Sequence, residues 1–469
     1  MSSIRRNFIY NSIYQILLFL LPLITAPYIS RVLGPSGIGT YAYTNTIANY
    51  FVLFSMLGVN NYGNRSIAMA RERKSELSET FWGIYYFQLL ISLIMSIVYI
   101  IILLSTPLEN KLIYFLQFLF VISAAFDINW FCFGLEKFRI TVVRNIIIRL
   151  LTVLAIFYFV KTEADLWIYT LLMAGSMLIS QLVIWPFVIK NVYFIRPRWK
   201  SIKQHIKPNL LLFIPVIAVS LYKIMGKIMI GLLSTLDEVG FYHNAMSIIS
   251  IPMGIITALG TVMLPRMSSL ISKGYQNQSK QMIEKSMVFI MFLSSALMFG
   301  IAGIAPVFVP WFFGDKFIRT TELVIYMAPS IIFISWANVI RTQYLIPNSK
   351  DKHYIISVLI GALVNIIINI ILIPSIGALG AAIGTVLAEV SVCVIQNLMV
   401  RKEIDLKSYF IKGVAFIIFG VAMFVTVRLL SSISSSAIVT LSFQIFVGAL
   451  VYLILSFGYL LVLRKKKVI

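Results

Sequence analysis

The sequence predicts an all-α polytopic membrane protein with about fourteen spanning helices, and three observations predict it. Of 469 residues, 60% are hydrophobic and only 12% charged, with a mean hydropathy of +0.93. Soluble domains carry about twice that share of charge. Apolar runs long enough to cross a bilayer, about 20 residues each, recur at 8–31, 40–60, 81–104, 112–134, 141–160, 166–189, 210–233, 240–264, 286–308, 323–346, 354–373, 378–400, 408–430 and 437–463. Finally, Lys and Arg alternate loop by loop. With the N-terminus on the cytoplasmic side, and cations near a run's end (Arg31, Arg144, Lys412 and Arg428) counted with the adjoining segment, inner segments hold 29 of them and outer segments 6, and the other four of the 39 lie deeper in the runs. That split follows the positive-inside rule and places both termini in the cytoplasm.

Each run has its own justification. The first is long, carries Pro22 and Pro27 and lacks a small-x-small cleavage site, so it reads as a span and not a cleaved leader. Gly34–Gly39 reads as a tight outer turn. It lacks the Lys-Ser/Thr ending of a phosphate loop and follows a spanning helix. The second run is dotted with Tyr41, Tyr43, Asn45, Asn49 and Tyr50, and the fourth holds Asp127, Asn129 and Trp130. Arg149 lies near the middle of the fifth. In the seventh, Lys223 and Lys227 are four apart and share one face, alongside the helix breakers Pro215 and Gly226. Arg341 sits near the inner end of the tenth run, Asn365 and Asn369 polarise the eleventh, and Glu389 lies in the twelfth. The closing Arg464–Lys467 run is a membrane-edge anchor.

An offset of 201 places Gly39-Thr40-Tyr41 on Gly240-Phe241-Tyr242 and Arg65 on Arg266. The first and second runs then overlay the seventh and eighth. The expected organisation is a six-helix lobe at 1–200, a second at 201–400 with the same topology, and two extra helices at 401–469. Pro22 and Pro27 in the first run and Pro215 and Gly226 in the seventh are expected to interrupt their helices at matching places, which either points to a substrate site or reflects the ordinary frequency of proline in spanning helices.

A charge at mid-bilayer facing lipid costs roughly 3 kcal/mol. Arg149, Lys223, Lys227 and Arg341 facing lipid would together cost on the order of 10 kcal/mol, so most are expected to face an internal, wetted cavity. Such a cavity, biased to positive charge, suits an anionic cargo, and a diphosphate is a fitting partner for Lys and Arg. Arg31 and Arg65, at the ends of the first and second runs, are gate or cavity cations on one reading and ordinary interfacial residues on the other. Asp127 and Glu389 either pair with Arg149 and the lysines or, protonated in a low-dielectric cavity, couple transport to a proton gradient. Hydroxyl, amide and aromatic groups nearby suit sugar rings, or serve interhelical hydrogen bonds.

Other classes fit poorly. The net charge of +22 sits in inner loops, which points to topology and anionic lipid and not to nucleic acid. Loops of at most about twenty residues leave no room for a catalytic or nucleotide-binding domain. Cys132 and Cys393 lie in apolar runs, and His205, His243 and His353 read as loop or helix-end residues, so neither a metal site nor another cofactor is expected. The chain reads as a mover of molecules.

Several segments resemble the polysaccharide repeat-unit flippases, the Wzx-like branch of the multidrug/oligosaccharidyl-lipid/polysaccharide exporter superfamily. They are Pro27–Gly34 with Gly37–Ala42, Leu57–Arg65, Asn129–Phe131 with Gly134–Phe138, Glu238–Tyr242, Leu264–Met267 and the Gly377–Glu389 stretch. The resemblance spans nearly the whole chain. It implies two six-helix lobes in a MATE-like V around a cationic central cavity, plus the extra helices. It implies a cargo of undecaprenyl-diphosphate-linked oligosaccharide, flipped from the inner to the outer leaflet of the bacterial cytoplasmic membrane for O-antigen or capsule assembly. Membrane lipid, a polysaccharide polymerase and a chain-length regulator are the implied partners. Lys223 stands where many members carry Asp, so an ion-coupling role for that helix does not carry over. A lipid II flippase and a MATE-type cation or drug antiporter are the alternatives, the second disfavoured by four cations against two anions within the runs.

Overall fold

A computed structural model describes the backbone of residues 3–465 and the side chains of 21–213, 216–217, 219–220 and 224–462. Among these residues the chain is helical, with no strand. Hydrocarbon offers no partner to a backbone N–H or C=O, so a spanning segment that satisfies its own bonds must coil. The order is α1 (Ser3–Met56), α2 (Val59–Ala70), α3 (Lys74–Ser105), α4 (Lys111–Ser123), α5 (Asn129–Gly134), α6 (Phe138–Phe159), α7 (Leu166–Val183), α8 (Trp185–Asn191), α9 (Trp199–Lys203), α10 (Ile206–Leu233), α11 (Leu236–Ser272), α12 (Gln276–Phe313), α13 (Ile318–Met327), α14 (Ser330–Val339), α15 (Asp351–Ile376), α16 (Ala378–Val400), α17 (Leu406–Leu429) and α18 (Ala437–Lys465).

Ten helices among the described residues are long and apolar enough to cross a membrane, and the pair containing α13 and α14, bent by 43°, makes eleven. The expected runs all fall on helices, with α1 taking the first and most of the second, so the helix count is about fourteen. At 54 residues α1 is too long for one crossing. It measures roughly 80 Å, more than twice the hydrocarbon thickness.

The break in α1 corrects two expectations. Gly34, at φ 67° and ψ 179°, is its only non-helical residue, and Pro35 follows at once. The expected turn at Gly34–Gly39 is therefore a single residue. Glycine supplies the positive φ and proline, lacking an N–H, starts the next helix. Pro22 and Pro27 lie within continuous helix and do not interrupt it; a proline in a membrane helix forfeits one bond without ending the coil. The second run was expected to continue to residue 60, but it breaks at Leu57 and Gly58. Gly58 has φ 88°, and a Cβ there would lie 2.8 Å from the Asn209 carbonyl oxygen. Left-handed backbone and close approach both demand glycine.

The chain forms two compact units, Met1–Ile217 and Ala218–Ile469. In the first, an aromatic core gathers Phe81, Tyr85, Trp130, Phe131 and Trp185, with Phe81 4.8 Å from Phe131 and 5.5 Å from Trp130 between ring centroids. In the second, small residues let helices approach. A Cβ on Gly361 would meet Val392 at 2.5 Å, and one on Gly384 would meet Asn369 Oδ1 at 2.1 Å, so α15 and α16 pack nearly backbone to backbone. The helices α17 and α18 pack on α12: Gly413 abuts Met291, Gly420 abuts Phe299, and the Tyr452 hydroxyl donates to the Phe292 carbonyl at 2.7 Å.

The repeat extends beyond the residues that suggested it. The offset of 201 carries the Gly34 break onto Thr235, the N-cap between α10 and α11. It also carries the stretch 124–128, between α4 and α5, onto 325–329, where α13 gives way to α14.

Candidate functional site

The broken helices organise the polar groups of both units. In the first unit the fourth run, expected as one helix over 112–134, is split. A 3-10 turn at Ala124–Phe126 and extended backbone at Asp127 (ψ 105°) separate α4 from α5. The break frees carbonyls, and a lone glutamine on α3 takes them up. Gln88, fully buried, donates from Nε2 to the oxygens of Ala124 (2.7 Å) and Asp127 (2.8 Å). Its Oε1 accepts from Trp130 Nε1 at 2.9 Å. A buried carbonyl without a partner costs about 1–3 kcal/mol, so this one side chain holds the break open at little penalty.

The Asp127 carboxylate, aimed out of the break, accepts from the Asn129 backbone N–H (3.0 Å) and side-chain Nδ2 (2.7 Å). Asn129 Oδ1 in turn accepts from Arg144 NH2 at 2.9 Å. Arg144 also donates to Asn145 Oδ1 from NH2 (2.8 Å) and Nε (3.1 Å), and Ser180 Oγ reaches the same oxygen at 3.1 Å. The result is a connected charge and amide network across α5, α6 and α7.

This network corrects the expected pairing. The cation beside Asp127 is Arg144, which the charge tally placed in an inner loop; it is buried within α6 and 7% exposed. Arg149, the expected partner, lies further along the same helix, half-buried, with no hydrogen bond or ion pair among the described residues. Arg144 is five positions from Arg149 and so lies on a different face. The Arg144-Asn145 pair inside an otherwise apolar helix is the signal that could have found it.

Two of the segments that carried the family resemblance, Leu57–Arg65 and Asn129–Phe138, pack together here. A Cβ on Gly63 would strike Trp130 at 2.6 Å, and one on Gly134 would strike Ile67 at 2.6 Å, so α2 and α5 touch through glycine. Tyr62 on α2 shares a 2.8 Å hydrogen bond with His205 Nδ1. His205 does lie at a helix end, but it is buried against Gly83, and burial pushes its imidazole down to about 4.

In the second unit the corresponding break is simpler. Pro329 lacks an N–H, and the chain turns through i→i+3 bonds, Ile331 N–H to Ala328 O and Ile332 N–H to Pro329 O. Downstream, Ile340–Leu345 is π-helical, a local widening that recurs at functional sites. Arg341 within it donates to Asn338 Oδ1 (2.9 Å) and to the Tyr354 hydroxyl (3.4 Å), its guanidinium 5.4 Å from the Tyr354 ring centroid. Arg341, expected to face an internal cavity, therefore has protein partners of its own.

The hairpin of α10 and α11 brings Lys227 into electrostatic contact with His243. His243 was expected at a loop or helix end but lies inside α11, and its Nδ1 has no hydrogen-bond partner among the described residues. Gly226, the residue before Lys227, abuts the Tyr242 hydroxyl, which bonds Thr385 Oγ1 at 2.8 Å. Asn365 and Asn369 are buried and bonded to each other at 3.1 Å, serving packing. Asn45 likewise donates to Gln117 Oε1 at 3.3 Å.

The remaining expected residues scatter. The side chain of Lys223 lies outside the described residues. Arg31 and Arg65 are exposed, and Glu389 is buried on α16. Lys227 is half-buried. Sequence reasoning missed Gln88, Arg144, Tyr62 and His243. For Gln88 the signal was a single amide in a long apolar run; for Tyr62 there was none, because its partner is 143 positions away.

A family model described as "Polysaccharide biosynthesis protein" matches residues 4–271. A "Putative O-antigen transporter" of Escherichia coli (strain K12) is 24% identical over 404 residues, covering 85% of this chain and 96% of that protein. Among solved structures, lipid II flippase MurJ in an inward closed conformation aligns with a TM-score of 0.73 at 19% identity, covering 96% of this chain and 97% of that one. An inward-facing multidrug resistance MATE family transporter of the MOP superfamily aligns at 0.63 and 14% identity, covering 85% and 98%. The chain thus shares the fold of these two structures.

Proposed function

Since this multi-pass membrane protein belongs to the polysaccharide biosynthesis protein family, we propose that it flips undecaprenyl-diphosphate-linked oligosaccharide repeat units from the inner to the outer leaflet of the bacterial cytoplasmic membrane. The single observation that carries this reading is the near full-length match to an O-antigen transporter. The breaks at matching positions in two halves support it physically. Broken helices supply backbone dipoles and bending points where alternating access needs them.

In this reading Lys227, with Lys223 one turn earlier, binds the diphosphate. A diphosphate carries several acceptor oxygens and draws charge-assisted bonds from ammonium groups in a low-dielectric setting. His243 beside Lys227 adds a second donor. The neighbouring Tyr242 and Thr385 hydroxyls suit a sugar. Arg149, Arg31 and Arg65 line the route taken by the anion. Asp127, bonded to Asn129 and beside Arg144, serves structure more than coupling, which leaves Glu389 as the proton-coupling candidate.

The test is surface polymer in cells carrying Lys223→Ala with Lys227→Ala. Polymer should be lost, and lipid-linked repeat units should accumulate, while the protein remains at its normal level in the membrane. Normal polymer would remove these lysines from the mechanism. The similarity to a lipid II flippase fold favours one second reading, since lipid II also carries a diphosphate. Rescue of a strain depleted of its own lipid II flippase would establish that alternative; failure to rescue, with polymer lost on deletion of this gene, excludes it.

A further inference from the structure

No acidic residue occurs between Leu166 and Leu236. Within that stretch Lys190 lies at the end of α8, Arg196, Arg198, Lys200 and Lys203 lie on the connection from α8 to α10, and Lys207 lies at the start of α10. The connection is held in place. Tyr193 N–H donates to Ser78 Oγ at 3.2 Å, and Trp82 Nε1 donates to the Tyr193 carbonyl at 3.0 Å, so the chain is fastened to the start of α3. Its aromatic side chains face outward: Phe194 is 64% exposed and Trp199 62%. Exposed aromatic rings interleaved with cations are the chemistry of a membrane interface.

Beside it lies a groove of about 550 Å³ lined by Lys203, Ile206, Lys207, Leu210, Leu211 and Phe213. Lys203 closes α9 and Lys207 stands in the first turn of α10, with Leu210 and Leu211 one turn further along that helix. One end of the groove is thus cationic and its floor is apolar. All six residues belong to the first unit.

We propose that this groove is a docking site for an anionic phospholipid of the leaflet on that side. The phosphate engages Lys203 and Lys207, and an acyl chain covers Leu210, Leu211 and Phe213. Charge complementarity selects the headgroup, because the residues lining the groove include two lysines and no carboxylate. The apolar floor selects a lipid over free phosphate, which would leave it bare. Bound there, the lipid holds the α9 connection at the membrane edge, separately from any cargo the protein moves.

The experiment uses the purified full-length protein and measures retention of phosphatidylglycerol against phosphatidylcholine by native mass spectrometry. Phosphatidylglycerol should be retained selectively by the unaltered protein, and retention should weaken as salt is raised. Lys203→Ala with Lys207→Ala should weaken it roughly 30-fold. Lys203→Arg with Lys207→Arg should keep it, and Leu211→Trp should displace the lipid with both charges intact. Equal retention by the alanine pair, no preference over phosphatidylcholine, or indifference to salt overturns the proposal. Stronger capture of a short-chain isoprenyl diphosphate than of phosphatidylglycerol would assign the groove to that ligand and overturn it equally.

Discussion

The fourth and tenth runs break at corresponding positions, yet they are broken by different chemistry. Between α4 and α5 the backbone carries no proline; the break is held from outside by Gln88 on α3 and by the Asp127–Asn129–Arg144 network. Between α13 and α14 the break is written into the backbone by Pro329, and Arg341, a few turns later, is engaged by Asn338 and Tyr354. A break held by side chains depends on its neighbours and can be undone by a mutation on another helix. A break set by proline is local and survives loss of its neighbours. The same geometry in two halves therefore carries different vulnerabilities.

That difference can be broken experimentally. The largest effect is expected from Arg144→Leu, which strips the cation from beside the Asp127 carboxylate and should cost about 3–5 kcal/mol. It is read as a fall in melting temperature in detergent, and Asp127→Asn added to it should restore part of the loss. A drop of under about 1 kcal/mol would mean that charge does not hold this break. Next comes Gln88→Leu, expected to cost about 2–3 kcal/mol because the Ala124 and Asp127 carbonyls lose their bonds to the amide, while the Trp130 indole keeps the Asp127 oxygen at 3.1 Å. A stability unchanged by this substitution would deny the α3 side chain its role.

Protons offer a third probe within the first unit. The unfolded imidazole of His205 titrates near 6.5, whereas the folded one titrates at about 4. The unfolded chain binds the extra proton between those values, so stability is intact above about 6.5 and falls as pH drops toward 4. Between pH 7 and pH 5 the loss is about 2 kcal/mol. His205→Gln should flatten that part of the melting profile; a profile unchanged by it would assign the acid sensitivity elsewhere. The smallest stability effect is expected in the second unit. Pro329→Ala should shift stability by no more than about 1 kcal/mol, since restoring an N–H offsets any lost bend. Polymer export should nevertheless fall if the bend serves transport, which sharpens the contrast between a break that holds the fold together and one that shapes motion.

The helices themselves were legible in the sequence because the bilayer is a severe solvent. Any stretch of about 20 apolar residues must satisfy its own backbone, and coiling is how a single segment does so. The Gly34 break was legible to within a few residues, since glycine and proline announce it. The charges were legible as a set but not as pairs. Arg149 looked like the partner of Asp127, and the structure put Arg144 there instead.

Hydropathy and the alternation of Lys and Arg determined the class and the approximate number of helices, and the faint 201-residue echo set out two halves. Those properties depend on each stretch of chain and its solvent alone. Which side chains meet was decided only in three dimensions. Gln88 reaches carbonyls 36 and 39 positions away, Tyr62 finds His205, and Gly63 makes room for Trp130. Each of these depends on how neighbouring helices rotate and approach, and no local pattern of residues encodes that.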